Sequence, residues 1–255
     1  MKKHLAAAAI VSMLACTADA AVVNITGITS QWTSTTPLVA DGVGTNSIRW
    51  GDPATSAGKS GYDFAAATVP INNVEAGSTF NLGNFVHHNN PITNKSIAQA
   101  TLEVAVRIMI GATEQVVSTV YTFNHWETSN FPGKGSVCAN GGAQGAGVNT
   151  VGCADRVTAV VNLASTSSFL IGDDEYVFTL DGFKVGSDIF SEFWTKEGTD
   201  NAAFLKGSYV LKSCVTANVG CTGGGVAAVP LPAAGWMLLA GLCGLGLITR
   251  KRRSA

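Results

Sequence analysis

The chain has 255 residues, 46% of them hydrophobic and 13% charged, with 29 glycines and a net charge of −1 at pH 7. Between Ala21 and Ala228 there are 10 Lys plus Arg and 16 Asp plus Glu, and 10 − 16 leaves that stretch at −6. An acidic, unclustered surface argues against nucleic acid and anionic lipid as its partners, and about 200 residues suffice for one domain with a real core.

In chain order, the N-terminus reads first as a secretory signal. Met1-Lys2-Lys3 is basic, Leu5 to Ala15 is apolar, and Ala18-Asp19-Ala20 offers the small residues that signal peptidase reads, with cleavage expected before Ala21. Leu14-Ala15-Cys16 partly resembles a lipobox, but bulky Leu14 stands where a small or β-branched residue is usual. Residues 1–20 are therefore a signal peptide, and 21–222 form the exported domain.

Strand-like runs then recur between turn signals: Val22–Ile28, Ser47–Trp50, Thr79–Phe85, Ala100–Ile110, Val116–His125, Arg156–Leu163, Tyr176–Phe183 and Phe204–Val215. Leu102, Val104, Val106, Ile108 and Ile110 fall on one face, with Thr101, Glu103 and Arg107 opposite. That period of two marks a strand buried on one side. Gly111-Ala112-Thr113 turns it into the next run as a hairpin. No segment sustains a helical period over three turns, so the expected fold is all-β, a β-sandwich or jelly roll.

Two segments echo each other and hold every histidine beyond the signal: Phe85-Val86-His87-His88-Asn89 and Phe123-Asn124-His125-Trp126-Glu127. In strands, Phe85, His87 and Asn89 share a face, as do Phe123, His125 and Glu127. Each segment thus sends an aromatic into the core and leads polar groups toward a strand end. Two readings compete. His87 and Asn89 lock a strand-to-turn junction by hydrogen bonds before Pro91, or His87, His125 and Glu127 ligate a metal such as Zn or Cu. The hydrogen-bonding reading is preferred, and no metal, cofactor or catalytic residue is assigned. The pair Glu127 and Asp155 has no spacing that marks a glycosidase.

Setting aside Cys16 and Cys243 in the apolar targeting segments, Cys138, Cys153, Cys214 and Cys221 remain. An even count in an exported chain reads as disulfides, and four cysteines allow three connectivities. Local pairing is preferred: Cys138–Cys153 around a Gly-rich loop, and Cys214–Cys221 around a short one. Gly141-Gly142-Ala143-Gln144-Gly145 lacks the Lys-Ser/Thr ending of a phosphate loop. Asp173-Asp174-Glu175 lacks the spaced oxygen ligands of a calcium loop and reads as a solvated turn.

The end of the chain is again tripartite. A Gly-rich linker, 223–228, precedes Val229-Pro230-Leu231-Pro232-Ala233. An apolar stretch from Ala234 to Thr249 follows, carrying Trp236, Leu238, Leu239, Leu242 and Leu245, and then Arg250-Lys251-Arg252-Arg253. About 16 residues are marginally short of a bilayer span, and the basic cluster stays cytoplasmic by the positive-inside rule.

These last residues, 229–255, resemble the VPLPA variant of the PEP-CTERM sorting signal. That resemblance implies a membrane helix and cleavage by an exosortase-type enzyme in a Gram-negative host. The exported part is similar to the THxN family of PEP-CTERM proteins. The likeness is carried by Trp50-Gly51, Ser60-Gly61-Tyr62-Asp63-Phe64, Leu82 through Asn89, His125-x-Glu127-Thr128, Cys153-Ala154-Asp155 and Phe193-Trp194-Thr195-Lys196-Glu197-Gly198. Phe85, His87 and Asn89 match the family motif, while Val86 stands where its Thr is expected. The family implies a sorted surface domain and brings no activity with it.

The expected function is a non-enzymatic surface or matrix protein, first anchored in the inner membrane and then displayed or secreted. Its expected partners are signal peptidase, the exosortase-type enzyme and the membrane, with exopolysaccharide as a further ligand. A carbohydrate-binding module using Trp32, Trp50, Trp126 or Trp194 is the alternative, followed by a metal-dependent or glycoside-cleaving enzyme.

Overall fold

The computed structural model describes residues 21–130 and 135–216. The signal peptide, the linker, Cys221 and the VPLPA tail lie outside the described residues. Among those described, no helix is long and apolar enough to cross a membrane.

The chain is all-β. Its strands are β1 (Val22–Thr36), β2 (Ser47–Trp50), β3 (Asp52–Pro53), β4 (Ser60–Ala66), β5 (Ile71–Glu75), β6 (Phe80–Asn89), β7 (Ile92–Thr93) and β8 (Gln99–Ile110). They continue as β9 (Thr113–Trp126), β10 (Asp155–Val161), β11 (Phe169–Ile171), β12 (Asp174–Val185), β13 (Asp188–Phe190), β14 (Glu192–Thr195) and β15 (Thr199–Leu211). One antiparallel sheet has the order β14-β10-β9-β8-β1-β5. The other runs β11-β12-β15-β6-β4-β2, with β13 paired to β12. A short ribbon joins β3 to β7.

Alternation explains which faces meet. In β8 the buried positions are Ala100, Leu102, Val104, Val106 and Ile108, with Ile110 half-buried at the end. Gly111, at φ 59°, takes the left-handed turn that closes the β8–β9 hairpin, and the register then sets Leu102 opposite Tyr121 and Val106 opposite Val117. In β6 the buried residues include Leu82, Phe85, His87 and Asn89. The two apolar faces enclose one core, in a sandwich-like arrangement.

Aromatic rings dominate that core: Trp32, Trp50, Tyr62, Tyr121, Tyr209, Phe64, Phe85, Phe123, Phe178 and Phe183 are all fully buried. Their contacts are edge-on or offset, as ring quadrupoles favour. Trp32 meets Phe123 edge-on at 5.1 Å between centroids, and Phe85 stacks on Phe123 at 5.1 Å.

Several strand ends depart from the sequence reading: β6 runs on past Phe85 to Asn89, and β15 starts at Thr199 instead of Phe204. The first strand continues to Thr36, because its Ser and Thr residues keep the alternation that the apolar run alone suggested ending at Ile28. Register shifts between Ile25 and Gly27 and between Trp32 and Ser34 accommodate its length. The final strand stops at Leu211, where Lys212 and Ser213 break the pattern, and Lys212–Thr216 forms a short helix.

Candidate functional site

The histidine segments run in opposite sheets, β6 in one and β9 in the other, and their buried ends meet between the sheets. Register builds the site. Tyr62 on β4 pairs with His87 on β6, and Thr195 on β14 pairs with Asp155 at the start of β10. His87 and His125 lie edge-on at 5.2 Å between ring centroids. Trp50 stacks on His87 at 6.0 Å and meets His125 edge-on at 5.3 Å.

His87 is held through one nitrogen and His125 through both. His87 Nδ1 lies 2.8 Å from Thr195 Oγ1, and His125 Nδ1 lies 2.7 Å from the Tyr62 hydroxyl. His125 Nε2 faces Glu127 Oε2 at 3.3 Å, and Ser96 donates to the same oxygen at 3.0 Å. Asn89 donates to the Thr195 carbonyl at 3.0 Å. This bond runs to β14 of the opposite sheet and ties the two sheets together, whereas the expected bond was to loop backbone before Pro91.

Two acids complete the cluster. Asp155 is fully buried and accepts the Thr128 backbone N–H at 2.7 Å through Oδ1. Glu197, between β14 and β15, is also fully buried. With its amide nitrogen turned to this carboxylate, Asn130 donates at 3.2 and 2.9 Å. One ligand atom each from His87, His125 and Asp155 fall within 4.8 Å of one another, and so do those of Glu127, Asp155 and Glu197. Asp155 belongs to both sets.

Electrostatics follow from burial. Desolvation, then the charges of His125 and His88, pushes His87 well below its ordinary value. Burial raises Asp155 well above the carboxylate range, and Glu127 adds to the effect. Burial and the charge of Glu127 push Glu197 up to about 8. The Tyr62 hydroxyl is raised well above its usual value, first by burial and then by Asp155 and Glu127.

The loop that carries Asp155 is pinned on both sides. Cys138 and Cys153 form a disulfide, as the sequence suggested. Thr128 Oγ1 donates to the Cys153 carbonyl at 2.7 Å, and the Ala154 N–H donates to buried Asn149 at 2.9 Å. Cys214 is also disulfide-bonded; its expected partner, Cys221, lies outside the described residues.

Of the residues read from sequence, Phe85, His87, Asn89, His125 and Glu127 therefore converge. Sequence reasoning assigned no role to Glu197, Thr195 or Tyr62, weighed Asp155 only as an unsupported glycosidase partner of Glu127, and offered Trp50 as a sugar-stacking ring, whereas it is buried against both histidines. An acid two residues after a cysteine, or one after an aromatic run, is too common a pattern to single out. The pairing of Glu127 with Asp155, unmarked by any spacing, is made by the β9–β10 register.

His88 points away from the cluster. Its Nε2 lies 2.6 Å from Asp63 Oδ2 and its Nδ1 2.6 Å from Asp200 Oδ1, while Arg49 donates to both Asp63 oxygens at 2.7 and 3.1 Å. Burial would raise Asp63, but hydrogen bonds from Arg49, Ser47 and His88 outweigh it and hold the carboxyl well below the usual range. A depressed carboxyl stabilises above its unfolded pKa, and that stability is lost as pH falls through the folded one. Asp63→Asn should therefore cost about 1 kcal/mol at pH 7, a figure already discounted for solvent screening. The gap from the parent should narrow as thermal melts move from pH 5 toward pH 2.

Trp126 and Trp194 lie on the outer face of their sheet, either side of Arg156 in register. Arg156 sits 4.7 Å from the Trp126 ring centre and 5.9 Å from that of Trp194. Asp173, Asp174 and Glu175 are exposed, but only Asp173 lies in the turn expected of all three, since Asp174 and Glu175 open β12 and pair with β11. No known protein-family model matches the chain, and comparison with curated proteins finds no match.

Proposed function

We propose that the chain is a non-enzymatic, exported surface or matrix protein, delivered by a C-terminal signal that an exosortase-type enzyme processes. The observation that carries this reading is the order of the tail: VPLPA at 229–233, an apolar stretch, then Arg250-Lys251-Arg252-Arg253. The Cys138–Cys153 bridge supports an oxidising destination. The full burial of Asp155 supports a non-enzymatic role, since a glycosidase paired through Glu127 and Asp155 would need both carboxyls open to a sugar.

Replacing Pro230 and Pro232 together by alanine should leave a longer, membrane-retained species in the Gram-negative host, visible on a blot of fractionated cells. Unchanged size and release would contradict sorting through this motif.

An exopolysaccharide-binding module is the second reading, favoured by the outward pair Trp126 and Trp194. Trp32 and Trp50 are fully buried and take no part in it. The outward rings are tilted by 54° and share Arg156, a poorer platform for a flat sugar than two coplanar faces. Retention of the parent, but not of Trp126→Ala, on the host's own polysaccharide would favour binding over a purely structural role.

A further inference from the structure

We propose that the cluster between the sheets is a binding site for one divalent first-row transition-metal ion, Zn2+ in the first instance, held by His87, His125 and Asp155. Buried polar atoms without hydrogen-bond partners, gathered beside a second imidazole, carry the inference. Thr195 Oγ1 lies 2.8 Å from His87 Nδ1 and 3.2 Å from the Asp155 carbonyl, and with its hydrogen on that carbonyl it accepts from Nδ1. In that tautomer Nδ1 bears the proton and Nε2 presents a bare lone pair, which is the form a metal needs. That Nε2 is buried and has no hydrogen-bond partner among the described residues; the same holds for Asp155 Oδ2, Glu127 Oε1 and Asn89 Oδ1.

A buried polar atom left without a partner costs about 1–3 kcal/mol, and a cation ligated by His87 Nε2 and Asp155 Oδ2 would satisfy both. The arrangement also has the outer support that ligating histidines use, in which the second ring nitrogen is fixed by a neighbour. Thr195 serves His87, and the Tyr62 hydroxyl, able to donate or accept, serves His125.

The donor set selects the ion. Two imidazoles with a carboxylate suit zinc and its neighbours, whereas Ca2+ and Mg2+ take oxygen ligands. Ligand atoms within 4.8 Å of one another need draw in only slightly to reach metal bonds of about 2.0–2.2 Å. Glu127 and Glu197 lie against Asp155 and supply compensating charge, and Glu127, whose side chain is 23% exposed, marks the side from which an ion enters. The proposal is independent of how the chain is sorted.

The test uses the purified full chain, stripped with chelator and dialysed. Zn2+ should rebind at one equivalent by elemental analysis and raise the melting temperature by about 5–10 °C at a free concentration 100-fold above its Kd; equal concentrations of Ca2+ should do neither. His87→Gln and Asp155→Asn should each weaken Zn2+ binding by more than about 100-fold, beyond the roughly 10–100-fold typical of outer-shell changes. If a variant fails to fold, side-chain nitrogen NMR of the parent decides, since Zn2+ should shift the Nε2 signals of His87 and His125 and leave His88 unmoved. Retention below a tenth of an equivalent, an equal response to Ca2+, or shifts confined to His88 would overturn the assignment.

Discussion

Alanine at position 85 will destabilise the domain by about 3–5 kcal/mol, the range for removing a phenylalanine from a close-packed core. Phe85 is fully buried and lies where the two sheets are joined by aromatic contacts. It touches Tyr62 at 4.9 Å, Phe123 at 5.1 Å, Phe183 at 5.6 Å, Phe193 at 6.2 Å and Trp32 at 6.4 Å between ring centres. Those rings belong to five other strands, so no single strand can shift to fill the void. At about 2–4 °C per kcal/mol for a chain of this size, the melting temperature should fall by roughly 6–20 °C. Phe204 sits on β15 but is 50% exposed, and Phe204→Ala should change stability by about 0.5 kcal/mol or less. Urea titration of both variants checks the contrast; equal losses would show that Phe85 is not the centre of this core.

The same residue shows what the sequence makes legible. Phe85, His87 and Asn89 fall on alternate positions, as do Phe123 and His125, so each strand's inward face follows from the period of two once its aromatic is placed in the core. The β8–β9 hairpin is equally readable, because one glycine separates two clean alternations. Pairings between distant strands are another matter. Nothing local to Asp155 says that its strand lies between β9 and β14, and only that placement brings it to Glu127 and Thr195. β4, β5 and β14 are short, with Gly, Asn or Glu interrupting their apolar pattern, and they are held in their sheets by partners remote in sequence. Sequence thus offers His87, His125 and Glu127 as separate candidates on two strands. The acids that turn them into a cluster come from long-range register, which leaves no periodic trace.

Opening the Cys138–Cys153 bridge should cost about 3 kcal/mol, the loop-closure value for the 15 residues of sequence between its ends. With both cysteines replaced by serine, the melting temperature should drop by about 6–12 °C. Treating the parent with reductant should reproduce that drop, provided the other bridge, at Cys214, is left intact or its loss is measured separately. Labelling of Cys138 in native, unreduced protein would contradict the bridge outright. Loop closure acts on the unfolded chain, yet here the bridge adjoins the pinned segment of the site, since Cys153 is followed directly by Ala154 and Asp155. The two effects separate by observable. An effect on the unfolded chain alone lowers the melting temperature and leaves native contacts as they were. Loosening of the folded loop would also speed amide exchange at Thr128, which donates to Asp155, and at Ala154, which donates to Asn149. Faster exchange at both amides is the expected result, because those hydrogen bonds and the disulfide hold the same few residues against the end of the sandwich.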